Sequence, residues 1–431
     1  MDYLYYSIIG FNICTFGYLL ASIFLTIYLV KPKEWLKKAF LTLGVVSVCS
    51  HTVALALRWI EAGFDRPPWT NLYESLIFFS WGLGLISTVV VVRYRTYFLA
   101  TLLYPLTFAG LGLAALVPDK TITPLVPSLQ SYWIKIHVVM ATVAYPSFII
   151  AATISLAYLF KKRVFRLKLG FGFSLITLLV LIMTGGYDVF LHGVFQIPQM
   201  VLENGKWFKI PVDPMANPPE WVLTLIPVAG KLFLFTALIH LFVILYSLAG
   251  MRDRENLLWQ RMEELFQKIG LASFVALMFV IYYNFATRQD LNLASNPYEM
   301  VLLWMALFAH ALYVVYSWKP QAFEKLLPSA EWLDEFAYKM TLFAFPFMTL
   351  LLITGAIWAY SAWGRYWGWD PKETCALMTW LIFAGYLHSR KYFLKNATPS
   401  AVINIIGGIS VFFTFLGANL LLSGLHAYGA Q

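Results

Sequence analysis

A short polar segment rich in tryptophan lies between two long apolar runs near the end of the chain. It reads Trp363-Gly364-Arg365-Tyr366-Trp367-Gly368-Trp369-Asp370-Pro371-Lys372-Glu373-Thr374. Indole rings have broad, polarisable faces on which a planar molecule can stack, and glycine lets the backbone approach such a molecule closely. The cationic side chains can pair with its carboxylates. The segment therefore indicates a shelf for a planar, mostly apolar, dianionic ligand, although an aromatic belt at a membrane surface has a similar composition.

The composition is that of a polytopic membrane protein. Of the 431 residues, 60% are apolar, 18% are aromatic and only 12% are charged. A soluble protein carries about twice that share of charge. The net charge of +9 does not indicate nucleic acid, because the basic residues lie in short runs between apolar segments. We therefore expect membrane lipid, and no nucleic acid, as a partner.

Hydropathy predicts an all-α polytopic membrane protein. A transmembrane helix needs about 20 consecutive apolar residues, and about twelve segments meet this requirement. They are 5–30, 39–60, 72–92, 96–117, 137–160, 171–193, 222–250, 269–287, 298–318, 340–361, 376–389 and 400–423.

The distribution of basic residues predicts the orientation of these spans. Of the 31 Lys and Arg residues, 21 fall in or beside the loops on one side, and positive charge marks the cytoplasmic side. Both termini and the tryptophan-rich segment are therefore predicted to face outward. The first apolar run is too long for a cleaved signal and is expected to stay as a span.

Heme fits the ligand that the shelf describes, and two histidines are placed to bind its iron. Neutral imidazole is a common axial ligand of heme. His137 begins a predicted span and His426 follows the last one, so both are predicted at the outer face, at the depth of Trp367 and Trp369. His388 lies 15 residues beyond Glu373, about 22 Å deeper if the segment is helical.

Several strings in the chain resemble one family. The tryptophan-rich segment, with Thr379-Trp380 and Tyr386-Leu387-His388-Ser389-Arg390 after it, is similar to the signature of the tryptophan-rich (WWD) heme-handling proteins of cytochrome c maturation, most of all the CcsA/ResC type. The strings around His137 and His426 resemble the two segments that carry the external histidines of that family. The resemblance covers roughly 50–165 and 335–431.

The resemblance implies a set of site residues. The heme b contacts would be Trp363, Arg365, Trp367, Trp369, Asp370, Lys372 and Glu373, and the iron ligands would be His137 and His426 outside and His388 for heme in transit. Arg365 and Lys372 are the preferred partners of the heme propionates. Asp370-Pro371 also has the pattern of a helix start, with Asp as the N-cap and Pro at the first helical position.

The resemblance also implies a function. Heme would be translocated to the outer side of the inner (plasma) membrane and attached to the Cys-x-x-Cys-His motifs of apocytochrome c, as by a cytochrome c synthetase of the heme lyase type. The protein needs no catalytic group separate from the heme site. The implied partners are a CcsB/ResB-type membrane subunit, apocytochrome c and thiol-reducing proteins. Two alternatives stay open: a heme exporter or chaperone that makes no bond, and a bis-histidine membrane electron carrier of the cytochrome b type.

The rest of the chain divides around these motifs. We expect an N-terminal membrane module at 1–165, an additional membrane insert without assigned role at 166–335, and a heme-binding module at 336–431. Packing roles are favoured for the remaining histidines, which are His51, His192, His240 and His310. Arg58 and Glu74 are expected to contact heme, orient a ligand or cap helices. The three cysteines form no Cys-x-x-Cys pair, which excludes a disulfide framework.

Overall fold

The computed structural model describes most of the chain. The described residues are 3–31, 33–116, 120–122, 124–125, 127–162, 166–186, 199–203, 206–209, 227–250, 257–287, 293–295, 297–318, 327–390, 392 and 397–417. Within these ranges, helices dominate. Cys14, Cys49 and Cys375 are free thiols, as the sequence predicts.

A helix lies at each of the twelve predicted spans. They are α1 Tyr3–Val30, α2 Glu34–Ala62, α3 Leu72–Tyr94, α4 Tyr97–Leu116, α5 Tyr132–Lys161, α6 Arg166–Leu181, α7 Pro227–Gly250, α8 Leu257–Thr287, α9 Pro297–Trp318, α10 Ala330–Trp363, α11 Pro371–Ser389 and α12 Thr398–Phe412. A 3-10 turn, Pro127–Gln130, precedes α5, and π-helical turns extend α6 and α12 to Gly186 and Gly417. Over the described residues, nine helices are long and apolar enough to cross a membrane. The predicted all-α polytopic class is confirmed.

Three short strands interrupt the helical pattern in the region of α6 to α9. They are β1 Gln199–Glu203, β2 Lys206–Lys209 and β3 Leu293–Ser295, and they form an antiparallel sheet in the order β2-β1-β3. The prediction had only loops at 194–221 and 288–297. Glu203 pairs with Lys206 across the sequence Asn204-Gly205, a dipeptide typical of hairpin turns. The signal for this hairpin was therefore present in the sequence.

The chain packs as two units, one formed by residues 1–162 with 324–431 and the other by residues 163–323. In the first unit, α5 packs along α10 and α12. Phe148 of α5 stacks on Phe383 of α11 with ring centroids 3.6 Å apart, and Phe383 lies against Gly407 of α12. Small residues permit this close approach of membrane helices. The predicted functional modules 1–165, 166–335 and 336–431 stay a prediction.

The second unit buries an apolar core between α6, α7, α8 and α9. Leu181, Phe233, Phe274, Leu277 and Leu303 belong to this core. Several polar side chains are buried in the same unit, among them the predicted packing residues His240 and His310.

Candidate functional site

The tryptophan-rich segment forms the turn between α10 and α11. α10 ends where Gly364 takes a left-handed conformation (φ 73°), and the N–H of Gly364 donates to the carbonyl of Tyr360. Glycine adopts this conformation without a steric cost. Trp369 is also left-handed (φ 54°), which is unusual for a residue with a Cβ. The turn between the two helices therefore contains two left-handed residues.

The turn is held by the two carboxylates that follow it. Asp370 caps α11 by accepting a hydrogen bond from the N–H of Lys372 at 3.0 Å. Glu373 Oε2 accepts from the N–H groups of Gly368 at 2.8 Å and Asp370 at 3.2 Å, completing a capping box with Pro371 at the helix start. The predicted helix start is confirmed. These contacts make Asp370 and Glu373 the residues that fix the shape of the segment.

Two aromatic rings of the segment, Tyr366 and Trp369, are exposed, and two, Trp363 and Trp367, are half-buried. Trp369 is 71% exposed and meets the ring of Trp367 edge-on, with centroids 5.8 Å apart. The exposed Tyr366 stacks on Tyr360 at 4.4 Å. The guanidinium of Arg365 lies over Gly368, where a Cβ would come within 2.6 Å of its Cζ. The segment thus presents two perpendicular indole rings, those of Trp367 and Trp369, and the cation of Arg365 beside the backbone of Gly368.

The pKa of Lys372 bears on its predicted contact with a carboxylate. Lys372 is in the first turn of α11, before the predicted span 376–389. Burial lowers its pKa to about 8, and the neighbouring carboxylate of Asp370 opposes that shift. The ammonium is therefore mostly protonated at pH 7 and can pair with an anion.

His137 of α5 is held against α10 by its own hydrogen bond. Its Nδ1 lies 2.9 Å from the carbonyl oxygen of Leu351. A carbonyl only accepts hydrogen bonds, so Nδ1 must carry the proton, and Nε2 of the neutral ring carries the lone pair. Gly355 leaves the space that the ring occupies, because a Cβ there would lie 2.9 Å from its Cε1. His137 is therefore fixed in the tautomer that binds a metal through Nε2.

A chain of aromatic contacts connects His137 with the tryptophan-rich segment. His137 stacks on Trp358 with centroids 6.1 Å apart, and Trp358 meets Trp363 at 4.9 Å. The indole N–H of Trp358 donates to the carbonyl of Ser128 at 2.8 Å. The predicted ligand thus packs beside the C-terminal part of α10, and Trp358 connects it to the start of the predicted shelf. Sequence analysis missed Leu351, Gly355 and Trp358, which sit inside an apolar helix.

Of the other two predicted iron ligands, His388 is not part of this arrangement. His388 is exposed in the last turn of α11 and contacts the ring of Tyr392 at 5.4 Å. It is at the opposite end of α11 from Glu373. His426 lies outside the described residues, as does His192.

A buried ion cluster accounts for Arg58 and Glu74. Both side chains are fully buried, and their atoms Nη2 and Oε1 are 3.0 Å apart. Glu74 also pairs with Arg66 at 3.0 Å and accepts from the N–H and hydroxyl of Thr70. Arg58 donates to the carbonyl of Lys120, and burial lowers the pKa of that lysine. These contacts tie α2, α3 and the loop after α4 together.

Three features define the class of protein. It is an all-α integral membrane protein. It exposes a tryptophan-rich turn between two helices, and a histidine in a metal-binding tautomer packs on the C-terminal part of the first of these helices. Among the described residues, no three His, Cys, Asp or Glu side chains form a cluster that would hold a bare metal ion. A single imidazole beside stacked aromatic rings suits a flat macrocycle that brings its own metal.

Comparison with known proteins gives the family. The model of the cytochrome C assembly protein family matches residues 69–426, and this chain belongs to that family. The chain is 28% identical to the cytochrome c biogenesis protein CcsA of Nostoc punctiforme over 390 residues, which cover 90% of this chain and 87% of that one. It is also 28% identical to the CcsA of Synechocystis sp. over 417 residues, covering 96% and 92%. No solved structure matches the chain.

Family membership confirms the resemblance that the sequence motifs indicated. The chain therefore has a role in cytochrome c biogenesis, and the family implies that it handles heme.

Proposed function

We propose that this protein moves heme to the outer side of the membrane and joins it to apocytochrome c. Heme b would be received near His388, then held on the tryptophan-rich segment with iron bound by His137 and His426. The protein would lie in the inner (plasma) membrane, with both termini and the heme site facing outward, as the distribution of basic residues favours.

The observation that carries the proposal is the hydrogen bond from His137 Nδ1 to the carbonyl of Leu351. It fixes which nitrogen can bind iron. The stack through Trp358 to Trp363 then leads from that ring to the tryptophan-rich segment. A ligand of fixed tautomer next to an indole surface supports heme binding better than it supports an interfacial aromatic belt.

The bond-forming step needs positioning more than acid or base catalysis. Each cysteine thiol of the apocytochrome adds across one heme vinyl group. The sulfur bonds to the vinyl carbon next to the ring, the thiol proton ends on the outer carbon, and the double bond is consumed. The addition has no leaving group and needs no oxidant, because the thiol and the vinyl group supply all the atoms and electrons of the thioether. Arg365 and Lys372 would hold the propionates, and Trp367 and Trp369 the ring face, so that both vinyl groups stay aligned with the two thiols.

The partners follow from the same scheme. The apocytochrome histidine would replace one of the two axial imidazoles, which releases the product. The cysteines must be kept reduced by thiol-reducing proteins. His388 is exposed on α11, which fits a second ligand supplied by a CcsB/ResB-type membrane subunit.

Removal of the imidazole of His137 tests the proposal. We expect His137→Ala to abolish formation of holocytochrome c and to lower heme that copurifies, because iron loses one axial ligand. Added imidazole should restore part of both by occupying the vacant position. Lys135→Ala, two residues away on α5, is the matched control and should retain activity.

The products distinguish this function from its alternatives. Purified protein, with its partner subunit, is mixed with heme, apocytochrome and reductant, and the pyridine hemochrome spectrum reports whether vinyl groups have become thioethers. Bound heme without thioether would show an exporter or chaperone. An unchanged heme spectrum in His137→Ala and His426→Ala, with loss in His388→Ala, would show a cytochrome b-type carrier.

A further inference from the structure

The described part of the second unit contains a row of buried polar side chains that the proposed function does not use. It comprises Ser174 of α6, His240 of α7, Glu263 and Gln267 of α8, and His310 and Tyr313 of α9, each at most 1% exposed. Helices α7 and α8 are long and apolar enough to cross a membrane. Ionisable groups inside such helices are costly to bury and are functional candidates by default.

The two histidines of this row are joined directly. His240 Nε2 lies 3.2 Å from His310 Nδ1. The outer nitrogens both meet backbone carbonyls: His240 Nδ1 is 2.7 Å from the oxygen of Thr236, and His310 Nε2 is 3.0 Å from that of Gln267. The four ring nitrogens therefore take part in three hydrogen bonds.

A count of protons decides the charge of the pair. Because carbonyl oxygens only accept hydrogen bonds, both outer nitrogens must carry a proton. The bond between the rings needs a proton as well, which makes three. Two neutral imidazoles hold only two. With only two protons, both on the outer nitrogens, His240 Nε2 and His310 Nδ1 would present lone pairs to each other at 3.2 Å. The full set of bonds exists only when the pair holds one extra proton.

We infer that His240 and His310 form a proton-binding site inside the second unit. The pair binds one proton, shares it along the line between His240 Nε2 and His310 Nδ1, and then carries one positive charge. The ligand is the proton itself. This inference stands apart from the proposed heme site, whose residues belong to the other unit.

A carboxylate on the neighbouring helix supplies the opposite charge. Glu263 Oε1 accepts hydrogen bonds from the hydroxyl of Tyr313 and from Nε2 of Gln267, both at 2.9 Å. Hydrogen bonds donated to a carboxylate oxygen stabilise its ionised form, and this oxygen has two donors. Gln267 connects the two charges, because its backbone carbonyl receives the bond from His310. One cation and one anion then balance inside the low-dielectric helix bundle.

The row of polar side chains runs along α8 from Glu263 to the histidine pair. Glu263 is seven residues before Gly270, which corresponds to about 10 Å. His240 packs directly on Gly270, where a Cβ would lie 3.1 Å from its Cε1. Gln267 is in contact with Ser174 and with the carbonyl of Gly170 on α6. Outside the row, Tyr246 of α7 also interacts electrostatically with Glu263.

Loss of the proton would weaken the contact between two helices. When the pair becomes neutral, one of the three bonds must break. Two of the three join helices, α7 to α9 between the rings and α9 to α8 at Gln267, so only the protonated pair keeps every contact between these helices. Buried polar residues that only hold membrane helices together would form a neutral network instead.

Nitrogen NMR on the full-length, heme-free protein labelled with ¹⁵N-histidine tests this inference. In a neutral imidazole one nitrogen is protonated and the other is bare, whereas an imidazolium has two protonated nitrogens. We expect an imidazolium spectrum from the His240–His310 pair at pH 7, because the three hydrogen bonds and the negative charge of Glu263 would offset the desolvation that disfavours a buried imidazolium. His51, whose Nε2 meets a single carbonyl, that of Ile77 at 3.0 Å, is the internal control and should be neutral.

Two variants assign the signals and probe the counter-charge. His310→Asn should remove the imidazolium signal. Glu263→Gln keeps the shape of the side chain but removes its charge, and it should shift the pair toward the neutral form at the same pH. Wild-type spectra that show only neutral rings at His240 and His310 would overturn the inference and leave a packing network. His240→Asn removes the same pair and makes the assignment if His310→Asn does not fold.

Discussion

His137 lies so close to α10 that one glycine determines its position. A Cβ at Gly355 would be 2.9 Å from both Cε1 and Nδ1 of the ring, which is shorter than a van der Waals contact. We therefore expect Gly355→Ala to displace the imidazole and to weaken its bond to Leu351, at a cost of about 1–3 kcal/mol for overpacking. Copurifying heme should fall and its Soret band should shift.

The control for this variant is a glycine with free space around it. A Cβ at Gly385 of α11 meets no atom within 4 Å. Gly385→Ala should leave heme binding unchanged, because alanine is favoured over glycine within a helix by roughly 0.5–1 kcal/mol. Equal heme content in the two variants would contradict a role of His137 in binding iron.

The indoles of the tryptophan-rich segment give a second prediction at the scale of residues. Trp369 is 71% exposed and stands edge-on to Trp367. A stacked aromatic contact contributes about 0.5–1.5 kcal/mol, so Trp367→Ala with Trp369→Ala should lower heme affinity roughly tenfold or more. Spectroscopic titration with heme measures this. Trp35→Ala, at another exposed tryptophan, should have no effect; equal losses would mean that the tryptophans form only an interfacial belt.

The turn between α10 and α11 is an element whose shape depends on Glu373. This carboxylate accepts from the N–H groups of Gly368 and Asp370. Glu373→Ala should cost about 1 kcal/mol of local stability, as for other lost helix caps, and it should raise amide hydrogen exchange at 364–370 together with heme dissociation. Glu373→Gln keeps an acceptor oxygen, so its amide hydrogen exchange and heme dissociation should lie between those of the wild type and of Glu373→Ala.

The matched control for Glu373 is the acidic residue in the first turn of α10. Glu331 is 79% exposed in its side chain and pairs with Lys162 at 3.6 Å. Glu331→Ala should leave exchange at 364–370 as in the wild type. If Glu373→Ala also left the exchange at 364–370 unchanged, the capping box would not determine the shape of the tryptophan-rich segment.

Hydropathy predicted where the helices lie better than where they begin. α10 begins at Ala330, ten residues before its predicted span, and α8 begins at Leu257, twelve residues before. A window that counts polar residues against a span excludes these first turns. In α8 it excluded Glu263 and Gln267, whose polar groups are satisfied by partners on other helices. The sequence does not show such partners.

The candidate site was predictable where it is local and not where it depends on packing. The helix start at Asp370-Pro371 follows from neighbouring residues, and it was predicted. The contact between His137 and Leu351 joins residues 214 positions apart, and nothing in either string specifies it. The same holds for Trp358, which has the type and spacing of an ordinary residue in an apolar helix.

At the scale of the molecule, the two units have different chemical character. The unit of residues 1–162 and 324–431 carries the tryptophan-rich turn and His137. The unit of residues 163–323 carries the histidine pair and Glu263, all within about two turns of α8. Under the proposed function, a dianionic cargo crosses the membrane and its charge must be balanced as it passes. The proposed heme-binding and proton-binding groups belong to different units, so each proposal can be tested without the other.

The orientation in the membrane is the prediction on which the proposed function rests as a whole. Attachment outside the cell membrane requires the turn between α10 and α11 to face outward and the end of α11 to face the cytoplasm.

Tyr366 in that turn is 56% exposed, and Tyr392 just beyond α11 is 66% exposed. In a background in which Cys14, Cys49 and Cys375 are replaced by alanine, Tyr366→Cys should react in intact cells with a maleimide that cannot cross membranes. Tyr392→Cys should react only after the cells are permeabilised, because α11 separates the two positions. The reverse pattern would place the tryptophan-rich segment in the cytoplasm, where no apocytochrome could receive heme on the outer side.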